Sequence, residues 1–353
     1  MQIAKAVVTP VELPLRQAAH LAGMPPIEKI TAIFVRIETR KGRTAWGCGV
    51  AHPGLTGETP QNALKASLAC AERVPDLHPT NIEYSLAELA PLAAGSPAAA
   101  CAFDLAFHDL LGLAAGLPLH RLLGGFRSRI QTSVAVPAVP VEESVEIALN
   151  RARAGYRMLK IKGGLDPDLD VKRVRAIHRA LPDHILRLDP DGAYTTETAL
   201  EVIRALEGLV EMVEQPTNAE DLAGLGQVTG ACSVPVLADQ SVRGPQSLLT
   251  LAAGRIVDGF SVKLATCGGL QCARQMDAIG RAARMTIMVS CVIEPALLTA
   301  AGLSFALSSP NVQYGDLDGH VDLINDPTVP GFLMKDGWLT AAETPGLGCT
   351  VDL

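Results

Sequence analysis

The chain has 353 residues, 48% of them hydrophobic, and a formal net charge of −7 at pH 7. This length is enough for one large domain plus a smaller one, and no basic block gives the footprint that nucleic-acid binding requires. The eight cysteines are scattered without a Cys-x-x-Cys pair, which argues against a disulfide or zinc framework and for reduced thiols in a cytoplasm.

The N-terminus lacks the sustained apolar run of a signal peptide. Residues 2–8, 30–38 and 43–50 read as strands, with a hairpin turn at 40–43. The stretch 10–28 carries Pro10, Pro14, Gly23, Pro25 and Pro26 and reads as a loop. Thr59-Pro60 opens a helix to about Arg73, and Ser96-Pro97 opens another that Gly116-Leu-Pro118 stops. That second helix is the best membrane candidate, but Asp104, His108 and Asp109 interrupt it, so a core helix is preferred and no membrane partner is expected. Strands followed by helices predict an α+β unit over residues 1–125.

From about residue 130 the pattern becomes strand, helix, strand, helix. Strands are predicted at 130–135, 157–162, 185–189, 210–214, 234–239, 258–263, 286–290 and 312–316, with helices such as 142–154 and 270–284 between them. Gly155 is placed to cap the first of these helices. Seven β/α units and an eighth strand fit in 126–320, with no evident helix after Asp316. The Gly-rich tail, 321–353, is expected to return to the N-terminal unit.

Polar residues close these apolar runs: Lys160 and Lys162, Asp189, Glu214, Asp239 and Lys263, then Glu294 and Asp316. From Lys162 to Lys263 the steps are 27, 25, 25 and 24 residues, room for one strand, one helix and two loops each. A parallel (β/α)8-type barrel gives that period and gathers its strand C-termini on one face. An acid after a strand can simply cap the next helix. Three acids in register, flanked by lysines, point instead to a hard cation such as Mg2+, which takes oxygen ligands and leaves positions for substrate. Lys160 and Lys162 are two apart, so both face the barrel end. A metal nearby should lower their pKa and suit them to act as bases. Lys263, past the three acids, could reach the same carbon from the opposite side, as stereochemical inversion requires.

Lys-x-Lys at 160–162, Asp189, Glu-Gln-Pro at 214–216, Ala-Asp-x-Ser at 238–241, Lys263 with Gly268-Gly269, Phe103-Asp-Leu-Ala and the final Pro-Gly-Leu-Gly together resemble the enolase superfamily, in its muconate lactonizing subgroup. The resemblance covers nearly the whole chain. It implies a modified TIM barrel with an α+β cap, and metal ligation by Asp189, Glu214 and Asp239. Mg2+ would hold a substrate carboxylate and stabilise the enediolate formed as the α-proton leaves. Lys162 and Lys263 would be the acid/base pair, with Lys160 supporting the carboxylate. Cap segments at 16–24, including Arg16, His20 and Met24, and at 54–58 would close the site and select substrate.

Asp316-Leu-Asp318 resembles the Asp-x-Asp with which dipeptide epimerases hold the substrate's ammonium, as charge-assisted acceptors. Residues 56–59 and 290–294, the latter ending in Glu294, also resemble that family. Two positions depart from the pattern: Gln240 follows the third acid where Glu is usual, and Asp191 stands where Asn is usual. One change removes a negative charge and the other adds one, so the sum near the metal is expected to hold. Epimerisation of a dipeptide is therefore the leading expectation. An N-acyl amino acid racemase, a cycloisomerase or a dehydratase would use the same constellation, and a catalytically degenerate metal-binding barrel is the non-enzymatic alternative. His108 reads as a satisfied pair with Asp104, and Cys291 as a packing residue near the mouth. Barrels of this kind often form homo-oligomers, and one is expected here.

Overall fold

The computed structural model describes residues 2–19 and 25–353. The N-terminal sheet is antiparallel, in the order β1 (Ile3–Ala19), β2 (Ile27–Thr39), β3 (Thr44–Val50). The reading of 10–28 as a loop is corrected here, because β1 runs through both prolines to Ala19 and pairs with β2 from Ile3↔Thr39 to Ala19↔Ile27. β1 is an edge strand of this sheet, where a residue without an N–H is tolerated. Pro10 and Pro14 are four apart, so they share one side of the strand.

The helix Pro97–Ala115 lies on β3 so closely that only glycine fits beneath it. A Cβ on Gly47 would come 2.0 Å from Ala102 O, and one on Gly49 2.0 Å from Ala98 O. Long and apolar enough to cross a membrane, this helix is instead largely buried inside the fold. Its Asp104 also docks the cap onto the barrel. The two Asp104 oxygens accept from the backbone N–H groups of Leu270 and Gln271, both at 2.9 Å, at the start of the barrel helix Leu270–Ala283. That N-cap gives Phe103-Asp-Leu-Ala a physical role.

A short strand β4 (Arg129–Gln131) precedes eight parallel strands: β5 (Ser133–Val136), β6 (Met158–Lys162), β7 (Ile185–Asp189), β8 (Val213–Glu214), β9 (Val236–Ala238), β10 (Gly259–Lys263), β11 (Thr286–Ser290) and β12 (Val312–Gly315). Helices join successive strands, and none follows β12. The predicted strand at 130–135 is thus two strands broken at Thr132. β4 pairs with the C-terminal hairpin of Phe332–Lys335 and Trp338–Ala341, and β5 enters the barrel.

The backbone ladder runs from β5 round to β12, and side chains close the seam between them. Ser133 Oγ donates to Asp316 Oδ1 at 2.6 Å, Ala135 N to Asp318 Oδ2 at 2.7 Å, and Leu317 N to Thr132 Oγ1 at 2.7 Å. Arg187, fully buried inside the barrel, donates across it to Gly315 O at 3.0 Å and Ser133 Oγ at 3.2 Å. The tail returns to the cap, where Leu347 N donates to Asp109 Oδ1 at 2.7 Å. One apolar core runs from the inner face of the cap sheet (Leu13, Phe34, Val50) into the barrel wall (Leu159, Leu188, Val262).

Candidate active site

β6 through β10 end on one rim, and their last inward side chains meet there. Lys160 Nζ contacts Asp316 and stands 3.3 Å from Asp189 Oδ2 and 3.4 Å from Glu214 Oε2. Lys162 Nζ donates to Asp189 Oδ2 at 2.8 Å and to Asp191 Oδ1 at 2.9 Å. Lys263 Nζ, on the other side of the acids, donates to Asp239 Oδ2. Asp189, Glu214 and Asp316 are each at most 1% exposed, so these charges sit in a medium that screens them poorly.

Burial alone would strip protons from the lysines, but the acids reverse it. Asp316, Glu214 and Asp189 push Lys160 up, Asp189 and Asp191 push Lys162 up, and Asp239 and Glu214 push Lys263 up. In this arrangement ammonium groups occupy the space between the carboxylates. Burial would raise Asp189, yet Lys162 and Lys160 hold it well below the ordinary carboxylate range. Glu214 goes the other way, to about 8, through burial and the adjacent Asp189 and Asp239.

Among the described residues no three His, Cys, Asp or Glu side chains close on one point, because each acid is drawn to a lysine. The donor set still fits a hard divalent cation. Three carboxylates stand on successive strand ends, and Glu214 is an acid whose charge its surroundings leave undercompensated. A cation there would take over the negative charge that now holds the lysines protonated.

Gln215 is a positioning residue that sequence reasoning quoted only as part of a motif. Its Oε1 accepts from Asp239 N at 2.8 Å and Ser241 N at 3.1 Å, and its Nε2 donates to Ser241 Oγ at 2.9 Å. It ties the Glu-Gln-Pro segment to Ala-Asp-x-Ser and holds a positive φ of 35° while doing so, a strain that the surrounding bonds sustain. The two departures from the family pattern meet in space: Gln240 Nε2 donates to Asp191 Oδ1 at 3.2 Å. Asp191 adopts φ 50°, a conformation that Asp and Asn tolerate better than most residues.

A cavity of about 190 Å3 opens above the lysines. Asp191, Gln240, Asp316 and Asp318 line it, with Leu15, His52 and Leu55 from the cap. Asp316 is largely spent within the protein, accepting from Lys160, from Ser133 Oγ and, at 2.8 Å, from Ser290 Oγ. Burial would raise it, but Lys160 first and the two serines after it bring it down to about 2. Among the described residues, Asp318 accepts from Ala135 N and, at 3.4 Å, from Cys291 Sγ.

Glu294 does not line this cavity. It is buried behind the wall, accepts from Val292 N at 3.3 Å, and burial pushes its carboxyl far up. Arg16 lies on β1, exposed, and its N–H donates to Asp322 O at 2.9 Å. Leu15 and residues 17–19 form the wall beside it. His20 and Met24 lie outside the described residues. Cys291 lies on the cavity wall with Sγ 3.4 Å from Asp318 Oδ1, and burial and Asp318 push its thiol far up. His108 is a satisfied core pair, with Nδ1 2.9 Å from Asp104 O. In the 54–58 segment Leu55 faces the cavity, whereas Glu58 turns inward to accept from Ser96 and, at 3.1 Å, from Ala98 N.

A capped, nearly closed parallel barrel, with acids on three successive strand ends and lysines on both sides, is the enolase-superfamily arrangement. The chain belongs to that superfamily's mandelate racemase/muconate lactonizing enzyme family. Residues 3–124 match the N-terminal domain of that family, and residues 143–353 match the enolase C-terminal domain-like model. It is 35% identical over 354 residues to an L-Lys-D/L-Arg epimerase of Methylococcus capsulatus, covering 99% of each chain. It is 32% identical to a hydrophobic dipeptide epimerase of Enterococcus faecalis, again covering 99% of each. Its structure superposes with a TM-score of 0.96 on a dipeptide epimerase from Enterococcus faecalis complexed with Mg and the dipeptide L-Leu-L-Tyr, at 31% identity over 99% of this chain and 100% of that one.

Proposed function

We propose that this protein is a Mg2+-dependent isomerase that epimerises a dipeptide by moving the proton α to its carboxylate. The observation that carries the proposal is the placement of Lys162 and Lys263 on opposite sides of three buried acids, with Asp316 and Asp318 closing the ring. Asp189, Glu214 and Asp239 would hold the ion, which when bound supplies an electrophile for the substrate carboxylate and for the charge that develops there.

The chain's own residues do the rest. One of Lys162 and Lys263, neutral at the outset, takes the α-proton, and the other, charged, returns a proton to the opposite face. The first ends charged and the second neutral, so exchange with water resets the pair. Lys160, held by Asp316, Glu214 and Asp189, keeps a positive charge beside the carboxylate. Asp318 has no cationic partner among the described residues and suits the free ammonium of a dipeptide. That feature favours a dipeptide over an N-acyl amino acid, which brings no cation, and over a dianionic muconate. In this reading residues 1–125 select and cover the substrate, 126–320 carry the chemistry, and 321–353 tie the two together.

The test is incubation with Mg2+ in D2O against a pooled L,L-dipeptide library, scored by mass spectrometry. A one-dalton gain on some members is expected. No gain anywhere, with metal shown to be bound, would reject dipeptides.

A further inference from the structure

The cavity wall has a charge balance that bears on which dipeptide it takes. Its cations are Lys160, Lys162, Lys263 and Arg151, and its acids are Asp191, Asp316, Asp318 and Asp322. Lys160 is paired with Asp316, Lys162 with Asp191, and Lys263 with Asp239 below the wall. Arg151 Nη2 donates to Asp322 Oδ2 at 2.7 Å. That pair is doubly anchored, since Asp322 O accepts from Arg16 N and Ile324 N donates to Pro14 O, stitching the rim loop to β1. Asp318 is left as the single acid on the described wall without a cation, and one substrate ammonium matches it.

The outer part of the cavity is apolar. Leu15 and Leu55 come from the cap, Pro137, Val292 and Ile293 from the barrel loops, and Ile147 from the helix Val141–Arg153.

We propose that the site selects dipeptides with uncharged, apolar side chains, because Asp318 takes the ammonium and, beyond the lysines and acids of the reacting centre, the charges on the described wall are Arg151 and Asp322, already paired with each other. A lysine or arginine side chain would enter apolar surroundings without a free acid to meet it. An acidic side chain would find Arg151, the rim cation among the described lining residues, held by Asp322. Both lose affinity and turnover relative to an aliphatic chain that fills the same space, and a mismatch of this kind is worth about tenfold or more in kcat/KM. This selectivity rests on the dipeptide reading and sets the chain apart from its Methylococcus relative, whose name specifies Lys and Arg.

The experiment compares L-Ala-L-Leu, L-Ala-L-Phe, L-Ala-L-Lys, L-Ala-L-Glu, L-Leu-L-Ala and L-Lys-L-Ala, each with the Mg2+-loaded protein in D2O, and measures binding of the same peptides by calorimetry. The expected result is kcat/KM at least about tenfold higher, and tighter binding, for the apolar members. Ile293→Asp and Ile147→Asp should then improve a Lys-containing peptide relative to its Leu counterpart. Lys or Glu peptides processed as fast as Leu peptides would overturn the selectivity and leave the epimerase reading standing. No deuterium in any of the six, with none in the wider library, would defeat both.

Discussion

Replacing Arg187 by Met tests how the barrel seam is held. The guanidinium is fully buried between β7, β5 and β12, where no backbone ladder joins the last two. It donates to Gly315 O at 3.0 Å, to Ser133 Oγ at 3.2 Å and to Glu211 Oε2 at 2.8 Å, and it packs 5.1 Å over the Tyr314 ring. Hydrogen bonds from a charged donor contribute about 1.5–3 kcal/mol each, so the two seam bonds are worth roughly 3–6 kcal/mol. Glu211 is 29% exposed and adds little. Relief of the buried charge offsets part of the loss, because methionine fills similar volume without needing partners. A net destabilisation of about 3 kcal/mol follows, or roughly 6 °C in Tm at about 2 °C per kcal/mol. Gly315 leads directly into Asp316 and Asp318, so KM should also rise more than kcat falls. The assay is a thermal melt with steady-state kinetics on the same preparation, and Arg187→Lys should fall between. Arg187→Met melting within 1 °C of the unmodified protein would refute the seam argument.

Three further outcomes are expected. Asp191→Asn should weaken Mg2+ binding about tenfold, some 1.4 kcal/mol, and Asp191→Asn with Gln240→Glu should restore it to within about threefold by calorimetry; no recovery in the double variant defeats charge compensation across that contact. His52, 6% exposed, is drawn down to about 4 by burial and by Lys263, against an ordinary value of 6.5. A folded-state pKa below the unfolded one means the unfolded chain binds the proton first, so stability is whole above about pH 6.5 and lost as the pH falls toward 4. The difference between the unmodified protein and His52→Gln in denaturant titrations should shrink by about 2–3 kcal/mol across that window, and a pH-independent difference would refute it. Glu294, buried behind the wall with its carboxyl pushed up by burial, should accept Gln with kcat/KM changed less than about threefold; a hundredfold loss would place it in direct contact with substrate after all.

The barrel and its rim of acids and lysines were legible because both obey short-range periods. Each β/α unit takes about 25 residues, and inward side chains alternate, so Lys160 with Lys162 and the acids at strand ends could be placed from spacing alone. Arg187 shares the parity of Asp189 and carried the same signal, but its value depends on a seam that only the strand order reveals. Pro10 and Pro14 concealed β1 because tolerance of proline depends on being at a sheet edge, a tertiary property. The break at Thr132 likewise arises from β4 pairing with Trp338–Ala341, far along the sequence. Asp316 and Asp318 look alike in sequence, yet Lys160 pairs with Asp316, while Asp318 has no cationic partner among the described residues. Glu294 sits where a rim residue was expected, but the turn after Ser290 points it behind the wall.

The central claim is that two lysines act on opposite faces of one carbon. It is tested most directly by α-proton exchange in D2O, followed by NMR for the L,L and L,D forms of one accepted dipeptide, in the unmodified protein, Lys162→Ala and Lys263→Ala. The account predicts exchange and interconversion of both forms in the unmodified protein and no interconversion in either variant. Each variant should retain exchange with one diastereomer only, and the retained form should differ between them. Interconversion at an undiminished rate in either variant, or loss of the same diastereomer's exchange in both, would contradict it.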